Sequence, residues 1–553
     1  MTPTEWLRRF EAADACIRNI YGDEAVFQES RNVWEETLRC FLARFGDREV
    51  RLFRSPGRLN LRGMHVDTHG GFLNLTTHQR ETVIVAARSD GPATTAVNIN
   101  PAFPETTFSL KSLSHSPGFT TEWERLIGAS EVRTRVGQAA GSWRNYVEGC
   151  ALNVQHRMPD RAVPELLLAV GSNLPQGAAL SSSAALCVGL VLAFSSWAGG
   201  PFAPETLVLS ARDGEWYAGS RCGVSDQAAM VLGKPGQCVT VALRPERLDF
   251  SSVRTYALPG EVCVLVVNSQ TERSLSGDAL IAYTRNRFAY SMALHVCREG
   301  LTALGMPPER VRGIEGLPDL APHALDARHG LAVLYRLLGR VPETLSLDAL
   351  RERYDIPGLD ALYATHFGNV PPPQRPQAFP MRGPLLFGIA ESERARLFPD
   401  AVETGDWARA GMLMNTGHDG DRRVGREGQP YCFDISDGAI ARLAAERIPV
   451  ERCPGGYGAS TPALDALVDA ALGAGAYGAC LTGAGLAGSV LALCPATEAP
   501  RIAERLRQTV ASPEFASLAG APEPFPEARI RDSVVINHAV AGAGELLPYS
   551  ALR

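Results

Sequence analysis

The order of apolar and polar positions along the chain predicts helices mixed with buried strands. Over residues 1–45, charged residues alternate with Leu, Phe, Val and Trp at helical spacing, which predicts one or two amphipathic helices. The β-branched runs at 80–88, 262–267 and 489–493 predict strands. This mixture, which lacks a regular strand–helix alternation, favours an α+β fold. We expect the other helices over residues 143–158, 184–198, 205–219, 283–305, 383–396, 404–415 and 461–473.

Two stretches interrupt this pattern and have the character of insertions. Residues 306–380 are irregular and proline-rich, and we interpret them as an inserted helical subdomain or a long surface excursion. Residues 419–456 form the second stretch. At 553 residues the chain is too long for one hydrophobic core, so we expect two or more domains.

The composition excludes several classes of protein. Apolar content of 45% and charged content of 21% indicate a soluble globular protein, and a net charge of -6 gives no basic surface for nucleic acid or an anionic membrane. The first residues include acids without an apolar core, and the longest apolar stretch, 184–194, is too short to cross a bilayer, so we expect neither a signal peptide nor a membrane partner. The 12 cysteines include no C-x-x-C pair, so we expect reduced thiols, a cytoplasmic location and no structural metal.

A small-residue turn before an apolar helix carries the strongest chemical signal. The apolar run 166–170 breaks at Gly171, Asn173 and Pro175, and three serines then open the helix. Such a turn directs unpaired N–H groups and the positive end of the helix dipole at one point, which is typical of a phosphate site. It is not a P-loop, because no Gly-Lys-Ser/Thr follows. The alternative is an ordinary core helix capped by serine, and this stretch alone leaves both open.

Segment 55–71 offers groups suited to a ligand with several hydroxyls. It offers a fixed cation, Arg58, two imidazoles, His65 and His69, and the carboxylate of Asp67, among glycines that allow close backbone approach. A carboxylate accepts two hydrogen bonds in a fork, which suits vicinal hydroxyls. A solvated polar turn with a surface arginine is the alternative.

Two carboxylates in segment 214–227 suit a phosphate site. Glu215 ends a predicted helix, and we expect Asp226 to lie in a loop after Gly223. One acid could bind a metal ion while the other accepts a proton, since phosphoryl transfer needs Mg²⁺ on the phosphates and a group that orients the attacking hydroxyl. Considered alone, each acid is more simply explained as a surface residue than as part of a site.

A glycine-rich run at 478–489 leads into the predicted strand 489–493. Its glycines predict a tight loop whose backbone packs against a phosphate or another loop. A Rossmann fingerprint is disfavoured, because that motif follows a strand instead of preceding one.

These four segments, in this order, resemble the GHMP small-molecule kinases and, within them, the galactokinase branch. Segment 55–71 is similar to the galactokinase signature Gly-Arg-x-Asn-Leu-x-Gly-Glu-His-x-Asp-x-x-Gly-Gly. The turn at 175–183, called the serine turn from here on, is similar to the phosphate loop Pro-x-Gly-x-Gly-Leu-Ser-Ser-Ser-Ala. Residues 223–227 resemble the Gly-x-x-Asp-Gln around the catalytic aspartate, and the glycine-rich run resembles Met-Thr-Gly-x-Gly-x-x-Gly. Weaker similarities involve Asn268, Asn415, His418 and Asp465.

The resemblance implies a two-domain α+β architecture. A ribosomal S5 domain 2-like N-terminal domain, which binds the nucleotide, would span residues 1–240, and a C-terminal GHMP domain over 241–553 would contain both insertions. The implied activity is transfer of the γ-phosphate of ATP to a sugar hydroxyl, most simply the anomeric one, with Mg²⁺ as the metal.

The matched positions carry the roles that the resemblance implies. Asp226 would accept the hydroxyl proton, with Arg58 nearby keeping it ionised and stabilising developing charge. Ser183 and Glu215 would hold Mg²⁺. The sugar would be bound by Met64, His65, Asp67, Gly223 and Tyr283. The phosphates of ATP would be cradled by Pro175, Gly177, Ala178, Ala179, Leu180, Ser181, Ser182 and Ser183.

Departures from the family pattern leave the substrate open. Met64 stands where the signature has glutamate, Thr68 and His69 replace Tyr-Asn, and Ala179 replaces a glycine of the phosphate loop. In galactokinases that glutamate holds the exocyclic hydroxymethyl end of galactose, whereas a thioether is a weak acceptor. We therefore expect the best substrate to be a pentose such as L-arabinose, a deoxy or otherwise modified hexose, or a cyclitol, and expect Met64→Glu to shift preference toward galactose.

Two other functions stay open on the sequence alone. A non-catalytic sensor that binds sugar and ATP would use the insertions as docking surfaces, although the groups needed for transfer are all present. A GHMP kinase for a non-sugar alcohol, such as mevalonate or homoserine, would leave His65 and Asp67 unpaired at a cost of about 1–3 kcal/mol each. Nothing in the sequence fixes the oligomeric state.

Overall fold

The computed structural model describes residues 1–12, 14–115, 119, 122–175, 177–244, 247–271, 278–368 and 370–547. Within these ranges the strands are β1 Arg51–Arg62, β2 Phe72–Arg88, β3 Thr94–Asn98, β4 Thr106–Phe108, β5 Leu166–Ser172, β6 Gln237–Ala242, β7 Arg254–Ala257, β8 Val262–Asn268, β9 Thr344–Ser346, β10 Ala378–Pro380, β11 Gly478–Leu481, β12 Ser489–Pro495, β13 Val534–Ile536 and β14 Gly544–Leu546.

The α-helices are α1 Pro3–Glu11, α2 Ala15–Arg18, α3 Glu24–Phe45, α4 Leu110–Ser114, α5 Trp123–Gly128, α6 Ser130–Gln138, α7 Arg144–Arg157, α8 Ser182–Trp197, α9 Pro204–Tyr217, α10 Ser225–Leu232, α11 Asp278–Ala303, α12 Pro308–Arg312, α13 Pro322–Leu325, α14 Gly330–Leu338, α15 Leu347–Arg353, α16 Leu359–Phe367, α17 Arg382–Glu403, α18 Trp407–Asp421, α19 Asp437–Ala445, α20 Pro462–Gly473, α21 Ala499–Ala511, α22 Pro513–Leu518 and α23 Glu527–Arg531. Short 3₁₀ turns cover Asp67–His69, Leu317–Leu320, Pro372–Gln374 and Val450–Arg452.

The larger sheet is built around the long neighbouring strands β1 and β2. Its order is β14-β1-β2-β5-β3-β4, with β6 paired to the first part of β2 and β7 paired to β6. Successive side chains of β2 enter different cores: Ile84 and Ala86 contact the core under α7, α8 and α9, whereas Val83 and Val85 contact a second core under α1 and α3. Helices therefore cover both faces of this sheet, which explains why β2 is buried almost throughout.

The smaller sheet has the antiparallel order β11-β12-β8-β13. α20 and α21 pack on it, while α17 contacts β2 of the larger sheet and α18 contacts β11. The packed pair α17 and α18 thus joins the two sheets. Mixed helices and two largely antiparallel sheets confirm the α+β class. The boundary near residue 240 stays a prediction, and both β7 and β14 from beyond it pair in the larger sheet.

The two insertion-like stretches differ in structure. Residues 306–380 contain α12 to α16 and the small antiparallel pair β9–β10, and they pack on α11. Five α-helices thus lie in this stretch, and its interpretation as an inserted helical subdomain or a long surface excursion stays a prediction. Residues 419–456 hold the end of α18, the helix α19 and a 3₁₀ turn.

Two local predictions are wrong. Asp226 does not lie in a loop but on the first turn of α10, because the helix begins immediately after Gly223 and Val224. The glycine-rich run at 478–489 is not wholly a loop, since its first four residues form β11, paired with β12. Among the described helices none is both long and apolar enough to cross a membrane.

We predict a loss of stability in acid that involves His78 on β2. Burial, with Arg80 and His538 adding in the same direction, lowers the pKa of His78 to about 3. The unfolded chain takes up this proton near pH 6.5 and the folded chain does not, so the contribution of His78 to stability is full above pH 6.5 and has fallen by about 3 kcal/mol at pH 4. Urea titrations between pH 7 and pH 4 check this, and His78→Gln should flatten the dependence. Equal slopes in the two proteins would contradict the assignment.

Candidate active site

The Asp226 carboxylate lies where three of the predicted segments meet. It sits on the first turn of α10, and its side chain is 25% exposed. Arg58 Nε donates to Asp226 Oδ1 at 2.6 Å, and the Ser181 hydroxyl donates to Oδ2. The buried Arg58 guanidinium also donates to the Ala179 carbonyl, and Arg58 follows a register shift in β1, where an irregular strand redirects a side chain. Arg58 thus joins β1, the serine turn and α10 around one carboxylate.

The serine turn leaves the start of α8 without a side-chain cap. Gly177, Ala179 and Ser181 adopt left-handed φ values of 72°, 57° and 59°. Ser181 directs its hydroxyl to Asp226 and makes no capping bond to the first turn of the 16-residue α8. The space beside Gly177 is open, with no heavy atom of a described residue beyond its chain neighbours within 4 Å of an added Cβ. This geometry favours the anion site over a serine-capped helix.

The glycine-rich loop between β11 and β12 packs on the serine turn. Ser489 Oγ donates to the Ala178 carbonyl at 2.6 Å, and a Cβ added at Gly488 would lie 2.4 Å from Ala179 Cβ. Only glycine fits at this approach, which confirms that the run packs its backbone against another loop. The smaller sheet therefore helps to shape the turn that precedes α8.

Glu215, on α9, is a buried carboxylate beside this centre. Gln227 Nε2 donates to its Oε2 at 2.5 Å, and Cys222 Sγ lies 3.3 Å from the same oxygen. Burial raises the pKa of Glu215 to about 7; the Ser183 hydroxyl hydrogen-bonds the carboxylate and lowers the pKa, whereas the Asp226 charge raises it. No arginine or lysine within the described ranges forms an ion pair with Glu215.

These groups fit a magnesium ion bound together with a nucleotide. Mg²⁺ prefers oxygen ligands and uses one or two carboxylates, with phosphates and waters completing its shell. Glu215 offers a carboxylate without a cationic partner, and Ser183 offers a hydroxyl next to it. Across the described part of the chain there is no cluster of three or more His, Cys, Asp or Glu side chains that could hold a metal ion. The donor set therefore suits a metal whose other ligands come from the phosphates.

Asp67 links the turn between β1 and β2, residues 63–71 and called the signature turn from here on, to α10. Its Oδ2 accepts hydrogen bonds from the N–H groups of Val224 and Ser225 at 3.1 and 3.2 Å, which explains why a helix begins at this point. A Cβ at Gly223 would lie 2.0 Å from Oδ2, so Gly223 allows the carboxylate to approach. Asp67 Oδ1 accepts no hydrogen bond from a described side chain or backbone group, and the residue is half-buried.

Aromatic rings surround the neighbouring His65. Its ring stacks on Tyr457 at 4.2 Å between centroids, and Tyr283 on α11 meets it edge-on at 6.2 Å. His65 Nε2 lies 3.4 Å from Asp421 Oδ1, and the imidazole is only 2% exposed. Met64 is 1% exposed and belongs to the main hydrophobic core. The predicted sugar residues thus lie together, with Asp67 the more accessible and Met64 and His65 enclosed.

Sequence reasoning missed Glu391, a fully buried carboxylate of α17 beneath the signature turn. It accepts hydrogen bonds from Gly63 N at 2.7 Å and Met64 N at 3.1 Å, and it forms ion pairs with Arg62 and Arg394. Burial raises the pKa of Glu391, but the two arginine charges outweigh it and hold the pKa below its usual value. Glu391 lies more than 300 residues from this turn, and no local pattern indicates the contact.

Three of the four weaker sequence similarities also come together in space. His418 Nε2 lies 3.0 Å from Asp465 Oδ1, and Leu481 N donates to His418 Nδ1 at 3.4 Å. Asn415 Oδ1 accepts from Ala479 N at 2.9 Å. These groups hold β11, which leads into the loop that packs on the serine turn.

Comparison with known families identifies the same segments. The model for the GHMP kinase N-terminal domain matches residues 145–234, and that for the GHMP kinase C-terminal domain matches 397–512. The galactokinase galactose-binding signature matches residues 39–88. The chain belongs to the GHMP kinases. This GHMP kinase has the two-domain fold that we expected, and the galactose-binding signature makes it galactokinase-like.

A solved galactokinase structure supports the fold of this GHMP kinase. Galactokinase of Lactococcus lactis, crystallised with galactose, is 18% identical, with a TM-score of 0.58 over 91% of this chain and 97% of that one. L. major mevalonate kinase in complex with R-mevalonate is 14% identical, with a TM-score of 0.41 over 88% and 95% of the two chains. A D-glycero-D-manno-heptose 1-phosphate kinase from Bacteriodes thetaiotaomicron is 12% identical, with a TM-score of 0.41 over 91% and 100%.

Proposed function

We propose that this GHMP kinase transfers the γ-phosphate of ATP to the anomeric hydroxyl of galactose or a galactose-like sugar. The observation that carries the proposal is that Arg58 and Ser181, from two distant segments, both donate hydrogen bonds to the partly exposed carboxylate of Asp226. A carboxylate that contacts the serine turn and begins a helix held by the signature turn suits proton transfer from an acceptor hydroxyl. The match of residues 39–88 to a galactose-binding signature supports a sugar as that acceptor.

The residues around Asp226 have distinct roles in this proposal. Asp226 Oδ2 receives the proton of the acceptor hydroxyl, so the substrate hydroxyl takes the place of the Ser181 hydroxyl on that oxygen. Arg58 keeps its bond to Oδ1, which fixes the orientation of the carboxylate and offsets negative charge that develops nearby. The transferable phosphoryl group is supplied by ATP, with Mg²⁺ held by Ser183 and Glu215 and the phosphates by the turn at 175–183.

The signature turn supplies the sugar contacts. Asp67 Oδ1 can accept from a ring hydroxyl while Oδ2 stays bound to the start of α10. Gly223 brings the backbone close to this carboxylate, and Tyr283 offers a ring face beside His65. The enclosed Met64 offers no hydroxyl acceptor, which supports a modified or shortened exocyclic end in the best substrate.

The test is a phosphotransfer screen with purified protein and Mg-ATP. Galactose, L-arabinose, deoxyhexoses and a cyclitol are assayed beside mevalonate and homoserine, with ADP release and phosphorylated acceptor measured in parallel. We expect stoichiometric ADP and sugar phosphate with at least one sugar. Transfer only to mevalonate or homoserine would overturn the sugar assignment, and ATP and sugar binding without turnover would identify a sensor.

A further inference from the structure

Two arginines that form no ion pair with a described residue lie close in the chain to Tyr283 and Gly223, two residues of the proposed sugar site. Arg287 lies on α11 one helical turn beyond Tyr283, so both occupy the same face of the helix. Arg221 lies two residues before Gly223, and its carbonyl accepts a hydrogen bond from Arg287 Nη1 at 2.5 Å. Neither arginine has an ion-pair partner among the residues that the structure describes.

The Arg287 charge acts on the signature turn itself. Burial lowers the pKa of His69 to about 3, and the positive charge of Arg287 adds to that shift. The Arg287 carbonyl also accepts from Ser291 Oγ, whose oxygen lies 3.0 Å from His69 Nε2. Arg287 therefore lies between the signature turn and the loop that carries Gly223.

Arg221, two residues before Gly223, adds a second positive charge. Its guanidinium stacks over Trp216, 4.9 Å from the ring centroid, and the residue is exposed. Partial burial of the guanidinium lowers the pKa of Arg221; the charges of Arg133 and Arg287 lower it further, whereas those of Glu124 and Asp213 oppose the shift. Three positive charges here face two negative ones, and a surplus of positive charge is typical of a surface that binds an anion.

We infer that the sugar accepted by this kinase carries an anionic group, a carboxylate or a phosphate, held between Arg221 and Arg287. The inference rests on the proposed function, because it places the anion on the phosphoryl acceptor. The methionine at position 64 is consistent with this inference. A glutamate there would add a negative charge that repels an anionic group from the signature turn, whereas methionine adds none. A guanidinium binds carboxylate and phosphate through paired N–H donors, which suits either group.

The experiment compares three substrates with one ring configuration: galactose, galacturonate and galactose 6-phosphate. We expect kcat/KM with saturating Mg-ATP to be higher for one of the two anionic sugars than for galactose, and the better of them identifies the anion. Arg221→Gln and Arg287→Gln should each lower the ratio of kcat/KM for that sugar to kcat/KM for galactose by about 10- to 100-fold. Arg287→Lys, which keeps the charge, should retain more of the preference than Arg287→Gln.

Controls separate this inference from the proposed function. Arg336→Gln, at an exposed arginine on α14, is the matched control and should leave the ratio unchanged. Arg221→Gln removes the charge of residue 221 but keeps its backbone carbonyl, which accepts the hydrogen bond from Arg287 Nη1. This variant therefore tests the charge without removing that hydrogen bond. Phosphorylation of galactose in preference to both anionic sugars would overturn the inference but not the proposed function. The same would follow if the two arginine variants lowered kcat/KM equally for all sugars through a raised KM for ATP. No transfer to any sugar would overturn both.

Discussion

Asp226→Asn should lower kcat for sugar phosphorylation about 10²- to 10⁴-fold while ATP still binds. Asparagine has nearly the same shape, and its amide oxygen can still accept from Arg58 Nε, which lies 2.6 Å from Asp226 Oδ1. The amide has no site of comparable basicity for the proton of the acceptor hydroxyl. Single-turnover phosphotransfer measures the chemical step, and ATP titration by calorimetry measures the binding that should persist.

A matched control for this substitution is Asp469→Asn. The Asp469 side chain is 26% exposed and pairs with Arg422 at 2.8 Å, much as the 25% exposed Asp226 pairs with Arg58. Asp469→Asn should leave turnover near that of the wild-type protein. Near-normal turnover in Asp226→Asn would remove Asp226 from the proton transfer, and loss of ATP binding would assign it to the nucleotide site.

Glu391→Ala should lower the free energy of unfolding by about 3–5 kcal/mol, the largest stability effect that we expect. Glu391 is the shared counter-ion of Arg62 and Arg394, and all three side chains are fully buried. Alanine leaves two positive charges in the interior and removes the acceptor for Gly63 N and Met64 N. Urea unfolding followed by circular dichroism measures the change.

Glu391→Gln distinguishes charge from hydrogen bonding in this cluster. Glutamine keeps an acceptor for the signature turn but not the negative charge, so its stability should lie between those of the wild type and Glu391→Ala. Because the turn carries His65 and Asp67, a folded Glu391→Gln protein should show a raised KM for sugar with a smaller change in KM for ATP. A loss below about 1 kcal/mol in Glu391→Ala would show that the cluster is dispensable.

The sequence predicts those elements whose pattern is set by burial. α7, α8, α9 and β8 begin and end within a few residues of the predicted bounds, because long apolar runs and helical periodicity reflect the core that they enter. The serine turn and the glycine-rich loop were also found from composition, since a close approach such as that of Gly488 to Ala179 requires glycine.

The contacts that complete the candidate site come from distant parts of the chain and leave no local signal. α10 begins where it does because Asp67, 157 residues earlier, accepts from Val224 N. The Glu391 cluster and the stacking of Tyr457 on His65 likewise depend on how α17 and the chain after residue 450 pack on the larger sheet. Arg221 and Arg287 resemble ordinary surface charges until the fold places both beside the signature turn.

The most direct test of the proposed activity is the identity of the phosphorylated product. Wild-type protein is incubated with Mg-ATP and the sugar that it uses best, and the product is examined by ³¹P and ¹H nuclear magnetic resonance. The proposal predicts one new phosphate resonance coupled to the anomeric proton, absent when Asp226→Asn replaces the wild-type protein over the same time. A phosphate coupled to any other sugar proton, or ADP with inorganic phosphate and no sugar phosphate, would contradict it.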